Sequence, residues 1–333
     1  MSRQIDDELQ KFAEGIKELR SIMNVEEIAE YAYTLKPKEK TLEPLPPKSL
    51  GLVVSGIVHG NETVGIAVIN EFISLLASET IDCGIPLGIF LGNPPAALAN
   101  KRFLERDLNR SFDRSGHSAE ERRARELLPI LAEAMWYLDL HQTNRPAEEP
   151  FFIFPYTSES FAFAQNLSAH TPIVTHIHSS FSKDGQCTDE YVNSHGGAGL
   201  TLECGQAGFD PLQVGFGLKT VLHAVRFVHN ILEKDKPPHP ARTERRKIYV
   251  VKDTIACPQD GIVKLREKLI NLQSIEKGEL LAMVDGHKIL SPRSGRIIFP
   301  NYSAETAAPG QRPAELMRVV EEISAEDLKS SHH

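Results

Sequence analysis

The sequence predicts an α/β protein in which a mixed sheet is flanked by helices and followed by a small C-terminal all-β module. Over residues 50–235, short apolar runs typical of strands buried on both faces alternate with stretches of helical periodicity. A charged, proline-rich stretch covers residues 234–247, and only short β-type runs follow it. Such alternation favours a layered fold with a parallel or mixed sheet. We therefore expect an N-terminal helical extension and connector over 1–49, a main domain over 50–235 and a small β-rich domain over 248–325.

The N-terminal extension is predicted to be a helix joined to a connector. Residues 37–49 contain four prolines and no periodicity, so we interpret them as the connector. Before them, apolar residues recur at helical spacing over residues 5–23, which indicates an amphipathic helix. The apolar positions of this helix are Ile5, Leu9, Phe12, Ile16, Leu19 and Met23.

The main domain is predicted to alternate strands with helices. The polar segment 179–198 is interpreted as a long loop, and long loops in compact domains often carry function. The predicted strands are residues 52–58, 85–91, 135–140, 151–154, 173–177 and 199–202, and the predicted helices are residues 62–75, 119–134, 158–168 and 211–233. The β-type runs of the C-terminal module are residues 248–251, 262–265, 279–284 and 295–299.

Composition excludes several classes of protein. The chain has 333 residues, with 37 Lys and Arg against 45 Asp and Glu, and the resulting net charge of -8 argues against a dedicated nucleic-acid binder. Without an apolar run long enough to span a bilayer, or a signal peptide, we expect no membrane contact and a cytoplasmic location. The four cysteines form no Cys-x-x-Cys pair, which is typical of buried thiols in a reducing compartment.

The segment His59-Gly60-Asn61-Glu62 lies where the first apolar run gives way to a helix. Open α/β sheets bind ligands at the carboxyl ends of their strands, so His59 and Glu62 can aim at one point there. Imidazole nitrogen and carboxylate oxygen suit Zn²⁺, and a catalytic zinc commonly takes three protein ligands and a water. His141, which ends the run 135–140, is the natural third ligand. Taken alone, a His-x-x-Glu pair also arises by chance, and a strand-end histidine often only forms a hydrogen bond.

Positive charge is concentrated shortly after the second apolar run, in a segment that contains Arg102, Arg106, Asn109 and Arg110. Arginine presents a planar fork that matches the two oxygens of a carboxylate, so this segment can bind an acidic ligand. An ordinary solvated basic face is the alternative interpretation.

Glu203 closes the apolar run 199–202 in Thr201-Leu202-Glu203-Cys204-Gly205. A partly buried glutamate has a raised pKa and can transfer protons near neutral pH. The alternative is a strand-end glutamate that is simply solvated.

In their order along the chain, these motifs resemble the succinylglutamate desuccinylase/aspartoacylase family, zinc-dependent hydrolases related to the zinc carboxypeptidases. The resemblance covers about residues 50–235, with a looser likeness in the β-rich module. It implies a zinc-carboxypeptidase-like sheet, with residues 50–235 as the zinc hydrolase catalytic domain, and one zinc ion per chain. The zinc ligands that it implies are His59, Glu62 and His141.

The same resemblance implies a role for each remaining motif. A zinc-bound water would attack the amide of an N-acyl amino acid, with Glu203 as general base and then general acid. Arg102 would polarise the scissile carbonyl, and Asn109 with Arg110 would hold the substrate carboxylate. Family members remove the acyl group from substrates such as N-succinylglutamate or N-acetylaspartate.

The sequence departs from the family pattern in one respect. The aspartoacylase branch places an arginine shortly before the catalytic glutamate to bind a second substrate carboxylate, whereas no arginine lies between residues 183 and 203 here. Tyr302 is a further candidate for reaching over the site from the β-rich module. We do not expect Asp139 to support the metal ligands, because we place its side chain on the opposite face of the strand from His141.

Two other functions use the same residues. A carboxypeptidase-like peptidase, or a deacylase of another small amide, needs the same three ligands and the same glutamate. A non-catalytic binding protein on this scaffold is a third alternative; it would require a broken set of catalytic positions, and all four are intact here. The expected partner is a small N-acyl amino acid, and the sequence leaves open whether the chain also forms a homo-oligomer.

Overall fold

A twelve-stranded mixed sheet organises the protein. The computed structural model describes residues 2–39, 41–43, 47–176, 181, 184–234, 246–308 and 311–330. The strands within these residues are β1 (Met23–Ala29), β2 (Ala32–Pro37), β3 (Leu50–Gly56), β4 (Leu87–Leu91), β5 (Ala134–Thr143), β6 (Phe151–Pro155), β7 (Ile173–His176), β8 (Ala198–Gln206), β9 (Ile248–Ala256), β10 (Val263–Leu265), β11 (Ser274–Ile275), β12 (Leu280–Val284), β13 (His287–Leu290), β14 (Gly295–Ile298) and β15 (Glu315–Ile323).

Strand order confirms the predicted fold class. The large sheet has the order β1-β2-β4-β3-β5-β8-β6-β7-β9-β15-β14-β11, and β10, β12 and β13 form a separate antiparallel sheet. At the centre, β4, β3, β5 and β8 are parallel neighbours, whereas β6 runs antiparallel to β8. The four parallel strands therefore present their carboxyl ends at one edge of the sheet, where ligands bind in open α/β folds.

Helices cover both faces of the large sheet. The main hydrophobic core contains apolar residues of α1, α2, α5 and α7, and a second cluster contains residues of α4 with Val192 of α6. Every residue of β3 is buried, as its apolar sequence predicts for a central parallel strand. The described α-helices are α1 (Ser2–Leu19), α2 (Val64–Ala77), α3 (Pro94–Leu98), α4 (Ala119–Ala132), α5 (Ser158–Leu167), α6 (Thr188–Ser194), α7 (Pro211–Lys234) and α8 (Ala325–Ser330).

The N-terminal segment differs from its prediction after the first helix. α1 ends at Leu19, and Met23 begins β1 instead of continuing the helix. β1 and β2 form a hairpin that pairs through β2 with the edge of β4, so this segment extends the large sheet. The tight turn of the hairpin places Tyr31 at a φ of 55°, a conformation that glycine adopts more easily. The predicted connector lies partly outside the described residues.

The segment 179–198 is not a continuous loop, because α6 forms within it. Residues 179, 180, 182 and 183 of this segment lie outside the described residues. Most of the predicted linker, residues 235–245, also lies outside them.

The C-terminal residues contribute to both sheets. β9 pairs with β7 and with β15, and β14 and β11 continue the large sheet, whereas β10, β12 and β13 form the small one. The domain boundaries at residues 49 and 235–248 stay a prediction. Among the helices that the structure describes, none combines the length and the apolar character needed to cross a membrane.

Candidate active site

The loop between β3 and α2 brings His59 and Glu62 to the carboxyl edge of the sheet. A Cβ at Gly60 would lie 2.3 Å from backbone atoms of Ala96 and Ala97. Only glycine therefore allows this loop to pack against α3 so closely. The packing fixes the position of the loop and, with it, of the side chains of His59 and Glu62.

The carboxylate of Glu62 lies between two imidazole rings. Its Oε1 is 2.9 Å from Nδ1 of His59, and its Oε2 is 2.9 Å from Nδ1 of His141. The backbone N–H of Gln142 donates to Oε2 at 2.9 Å. Burial raises the pKa of Glu62, but the two histidines outweigh burial and hold the pKa well below its usual range.

Each histidine is held by a second carboxylate on its other ring nitrogen. Nε2 of His59 lies 3.0 Å from Oδ1 of Asp107, and Nε2 of His141 lies 2.8 Å from Oδ2 of Asp139. The expectation that Asp139 faces away from His141 is wrong, because residues two apart in a strand project from the same face. A carboxylate on Nε2 keeps the proton there, which leaves the Nδ1 lone pair free for a metal ion.

Asp139 belongs to a buried hydrogen-bond network. The hydroxyl of Ser55 donates to its Oδ1 at 2.6 Å, and the hydroxyl of Thr188 donates to its Oδ2 at 2.8 Å. Burial raises the pKa of Asp139, but His141 and these hydroxyls outweigh burial and keep the pKa below its usual range. The carboxylate is therefore ionised at neutral pH and available to orient the imidazole.

The three predicted ligands fit a divalent metal ion. One ligand atom from each of His59, Glu62 and His141 lies within 4.8 Å of the other two, and all three side chains are buried. Two imidazole nitrogens with one carboxylate oxygen form a donor set typical of catalytic zinc, which keeps a further position open. The surrounding carboxylates supply the outer hydrogen bonds that such ligands need.

Glu203 lies beside this cluster on the neighbouring strand. β5 and β8 pair in parallel with His141 opposite Glu203. The side chain of Glu203 is buried, and its Oε2 has no hydrogen-bond partner among the described residues. Burial, followed by the charge of Glu62, raises the pKa of Glu203 to about 8. A buried carboxyl group without a partner is costly for stability, which favours a functional reason for its presence.

Arg102 contacts two carboxylates of the site, that of Glu62 and that of Asp107, which holds His59. Its Nη1 donates to Oε1 of Glu62 at 3.2 Å, and its Nε donates to Oδ2 of Asp107 at 3.2 Å. The backbone carbonyl of Arg102 also accepts a hydrogen bond from the N–H of Gly60. The guanidinium group is therefore held at the edge of the His59–Glu62–His141 cluster.

Asn109 and Arg110 lie against the N-terminus of α6. Oδ1 of Asn109 accepts a hydrogen bond from the backbone N–H of Thr188, and Nη1 of Arg110 donates to Sγ of Cys187 at 2.9 Å. Both residues line the same cavity as the metal cluster. Contact between these two residues and a substrate carboxylate stays a prediction.

Glu120 positions the arginine segment, and the sequence did not indicate this role. Its buried carboxylate accepts hydrogen bonds from the backbone N–H groups of Leu104, Glu105 and Arg106, at 2.6 to 3.2 Å, and from the side chain of Asn93. Charged hydrogen bonds of this kind are among the stronger ones in proteins. Glu120 lies 14 or more residues from the backbone N–H groups that it binds, so no local motif in the sequence indicates these hydrogen bonds.

A cavity of 960 Å³ joins the seven predicted site residues. The C-terminal residues form part of its wall, including Phe299 and Arg318. Tyr302 does not reach the metal cluster, because its hydroxyl donates to the carbonyl of Arg266 and accepts from the N–H of Leu269. The predicted site residues that line the cavity are His59, Glu62, Arg102, Asn109, Arg110, His141 and Glu203.

A buried His-Glu-His cluster with carboxylate-backed imidazoles, beside a free carboxyl group at the edge of a mixed sheet, is typical of metal-dependent hydrolases. Residues 49–233 match the family model described as the succinylglutamate desuccinylase/aspartoacylase catalytic domain. This match covers more than half of the chain, so the protein belongs to that family. The family and enzyme class predicted from the sequence are thereby confirmed.

Individual relatives agree with this assignment. The chain is 28% identical to the succinylglutamate desuccinylase of Serratia proteamaculans over an alignment of 284 residues. This alignment covers 78% of this chain and 83% of that protein. The relatives' names denote amide hydrolases that act on N-acyl amino acids, and this is the enzyme class of the family.

Solved structures share the fold. The structure of succinylglutamate desuccinylase from Vibrio parahaemolyticus superposes with a TM-score of 0.68 at 20% identity, covering 88% of this chain and 86% of that chain. Murine aminoacylase 3 superposes with a TM-score of 0.61 at 19% identity, covering 84% of this chain and 97% of that chain. At these identities the likeness establishes the fold alone.

Proposed function

We propose that this protein is a zinc-dependent hydrolase that cleaves the amide bond of an N-acyl amino acid. The observation that carries the proposal is the pairing of two features in one cavity. The first is the cluster of His59, Glu62 and His141, which could hold a metal ion. The second is the carboxyl group of Glu203 on the adjacent strand, whose Oε2 has no hydrogen-bond partner among the described residues. Zinc in such a site acts as a Lewis acid and lowers the pKa of water from 15.7 to about 7.

Glu203 is the group that we assign to proton transfer. In its ionised form the carboxylate can accept a proton from the attacking water, because its buried Oε2 has no competing hydrogen bond among the described residues. The same carboxyl group then returns the proton to the nitrogen of the departing amine, which must be protonated before it leaves. Positioned proton transfer of this kind contributes about 10²- to 10⁴-fold to a rate.

Three residues of the segment that follows β4 position the substrate in this proposal. The guanidinium group of Arg102, held by Glu62 and Asp107, stabilises the negative charge that develops on the amide oxygen. Asn109 and Arg110 bind the α-carboxylate of the amino acid, with the Arg110 guanidinium as the charged partner.

The cavity favours a small substrate over a polypeptide. Its volume of 960 Å³ is at the upper end of the range for small-molecule sites, and residues 299–301, 303, 313–315, 317 and 318 contribute to its wall. The names of the relatives point in the same direction, because desuccinylases and aminoacylases act on acylated single amino acids. A peptidase of the carboxypeptidase type would need room for a chain that continues beyond the scissile bond.

A substrate panel tests the proposal. Wild-type protein loaded with zinc is assayed for release of free amine from acetyl, formyl and succinyl derivatives of aspartate, glutamate and alanine. A peptide substrate of the carboxypeptidase type is included to test for peptidase activity. We expect hydrolysis of at least one N-acyl amino acid and none of the peptide. Faster hydrolysis of the peptide would contradict the proposal.

The matched variant is Glu203→Gln, which keeps the shape of the side chain and removes its ability to accept a proton. We expect kcat to fall about 10²- to 10⁴-fold while the zinc content of the purified protein stays the same. Equal rates for the variant and the wild type would remove Glu203 from the mechanism.

A further inference from the structure

Thr188 is a fully buried residue that the proposed mechanism does not use, and it donates two hydrogen bonds within the active site. Its hydroxyl donates to Oδ2 of Asp139 at 2.8 Å, and its backbone N–H donates to Oδ1 of Asn109 at 3.0 Å. Asp139 holds the proposed metal ligand His141, whereas Asn109 is the residue proposed to bind the substrate carboxylate. Thr188 therefore joins a support of the metal ligands to a substrate-binding residue.

The hydroxyl of Thr188 fixes the position of its backbone. Asp139 is itself held, because its two oxygens accept hydrogen bonds from Ser55 and from His141. The Thr188 hydroxyl oxygen also lies 3.3 Å from Oδ1 of Asn109. A hydroxyl has a single hydrogen, however, and the ionised carboxylate of Asp139 is the nearer and stronger acceptor. The backbone N–H is therefore the group that Thr188 offers to Asn109.

This N–H has no use within the helix that it begins. Thr188 is the first residue of α6, and the first N–H groups of a helix have no acceptor among the residues before them. A buried N–H must find a partner elsewhere, because leaving it unpaired costs free energy. Oδ1 of Asn109 is that partner, although 79 positions separate the two residues.

The hydrogen bond decides which way the Asn109 amide faces. An asparagine side chain presents a carbonyl acceptor on one side and an NH₂ donor on the other. Because the Thr188 N–H takes the acceptor, the donor Nδ2 is turned away from α6 and forms no hydrogen bond among the described residues. Asn109 also lines the active-site cavity. A carboxylate can accept a hydrogen bond from Nδ2, whereas Oδ1 in the same place would repel it.

From this geometry we propose that Thr188 is a positioning residue that orients the Asn109 amide, so that its NH₂ group is available to a substrate carboxylate. The inference rests on the proposed function, because that function assigns the α-carboxylate to Asn109 and Arg110. The preceding residue supports it, since Sγ of Cys187 accepts a hydrogen bond from Nη1 of Arg110 at 2.9 Å. Two consecutive residues thus contact the two members of the proposed carboxylate-binding pair.

Two substitutions at position 188 separate its two hydrogen bonds. Thr188→Val keeps the shape of the side chain and the N–H, and removes only the hydroxyl. Thr188→Pro removes the hydroxyl and the N–H together. The backbone is compatible with proline, because proline fits the first position of a helix and Cys187 before it is extended, with φ −80° and ψ 166°. The difference between the two variants isolates the N–H that Asn109 accepts.

Steady-state kinetics of the zinc-loaded variants test the proposal on the N-acyl amino acid that the wild type hydrolyses fastest in the substrate panel. Relative to Thr188→Val, we expect Thr188→Pro to raise KM about 5- to 30-fold and to change kcat less than about threefold. The reason is that binding must turn Oδ1 of Asn109 toward a ring that offers no donor. The conservative variant Thr188→Ser keeps both donors and should restore the wild-type KM.

Zinc affinity, measured by competition with a chelator, is the second readout. Thr188→Val and Thr188→Pro both lack the hydroxyl that Asp139 accepts, so we expect them to bind zinc equally. A difference in KM without a difference in zinc affinity places the effect on the substrate side of the site.

A double-mutant cycle shows whether the effect passes through Asn109. Asn109→Leu removes the amide at similar size and should itself raise KM. In that background, Thr188→Pro should raise KM less than about twofold more than Thr188→Val does, because no amide is left to orient. General damage to the cavity would instead add to the effect of Asn109→Leu.

Equal KM values for Thr188→Pro and Thr188→Val would overturn the inference, as would an increase that persists in full beside Asn109→Leu. Failure of the proposed function looks different, because the wild type would then hydrolyse no member of the panel, or Asn109→Leu would leave KM unchanged. If Thr188→Pro does not fold, an ester in place of the peptide bond between residues 187 and 188 of Thr188→Val removes the same N–H without a ring. The same rise in KM is expected for that ester.

Discussion

Replacing Asp139 with asparagine tests how the metal ligands are held. In the wild type, Oδ2 of Asp139 accepts hydrogen bonds from Nε2 of His141 at 2.8 Å and from Thr188 at 2.8 Å. An asparagine that places its amide nitrogen there cannot accept the imidazole proton, which then moves to Nδ1 and blocks the lone pair facing Glu62. An asparagine turned the other way keeps an acceptor but loses the negative charge.

The magnitude follows from the loss of one charged support. Outer hydrogen bonds to metal-binding histidines are worth about 10- to 100-fold in metal affinity, or about 1.4 to 2.7 kcal/mol. We expect a loss of this size for Asp139→Asn, because the side chain is fully buried and no water can take its place easily. Competition with a chromophoric chelator measures the affinity for zinc directly.

Ser55→Ala is the matched control for Asp139→Asn. It removes a hydrogen bond to the opposite carboxylate oxygen and leaves the charge of Asp139 in place. We expect it to weaken zinc binding only a few-fold. Asp139 does not support the metal ligands in this way if Asp139→Asn binds zinc as tightly as the wild type, or if Ser55→Ala weakens binding more than Asp139→Asn does.

Two further predictions concern buried carboxyl groups around the site. Glu120→Gln should lower the free energy of unfolding by about 2 to 4 kcal/mol and reduce kcat/KM, because backbone N–H groups of the arginine segment lose a charged acceptor. Chemical denaturation measures the first effect and steady-state kinetics the second. Unchanged values would contradict the role of Glu120 in holding this segment. Burial, followed by the charges of Glu190 and Asp139, raises the pKa of Asp189 to about 7. Between about pH 4 and pH 7 the folded protein therefore holds a proton on Asp189 that the unfolded chain releases. Over this range the wild type should lose up to about 4 kcal/mol of stability relative to Asp189→Asn as the pH rises. Melting temperatures of the two proteins across this range test the sign, and a gap that does not widen with pH would contradict it.

The meeting of the three predicted metal ligands could be foreseen from the sequence, because the position of each follows from a local rule. Apolar runs mark β3, β5 and β8 as buried strands, and parallel strands bring their carboxyl ends to one edge. Residues at those ends, such as His59 and His141, therefore meet although 82 positions separate them in the sequence. The same periodicity should also have placed Asp139 on the face of His141, and the expectation to the contrary misapplied the two-residue repeat of a strand.

Other features depend on contacts that no local pattern encodes. The sequence does not predict the hairpin of β1 and β2, because its turn, which contains Tyr31, lacks the glycine or asparagine that usually marks such turns. The anchoring of the arginine segment by Glu120 and the hydrogen bond from Thr188 to Asn109 join residues far apart in the chain. These contacts depend on the tertiary arrangement, so only the structure identifies them.

Zinc removal and readdition tests the central claim most directly. The protein is stripped of metal with a chelator, and the hydrolysis of its best N-acyl amino acid substrate is followed as zinc is added back. The proposed site predicts negligible activity without metal and a linear recovery that saturates at one zinc per chain. The described residues contain one such cluster, His59, Glu62 and His141, and it lies in the cavity. Full activity in the metal-free protein, or recovery that is indifferent to added zinc, would contradict the account.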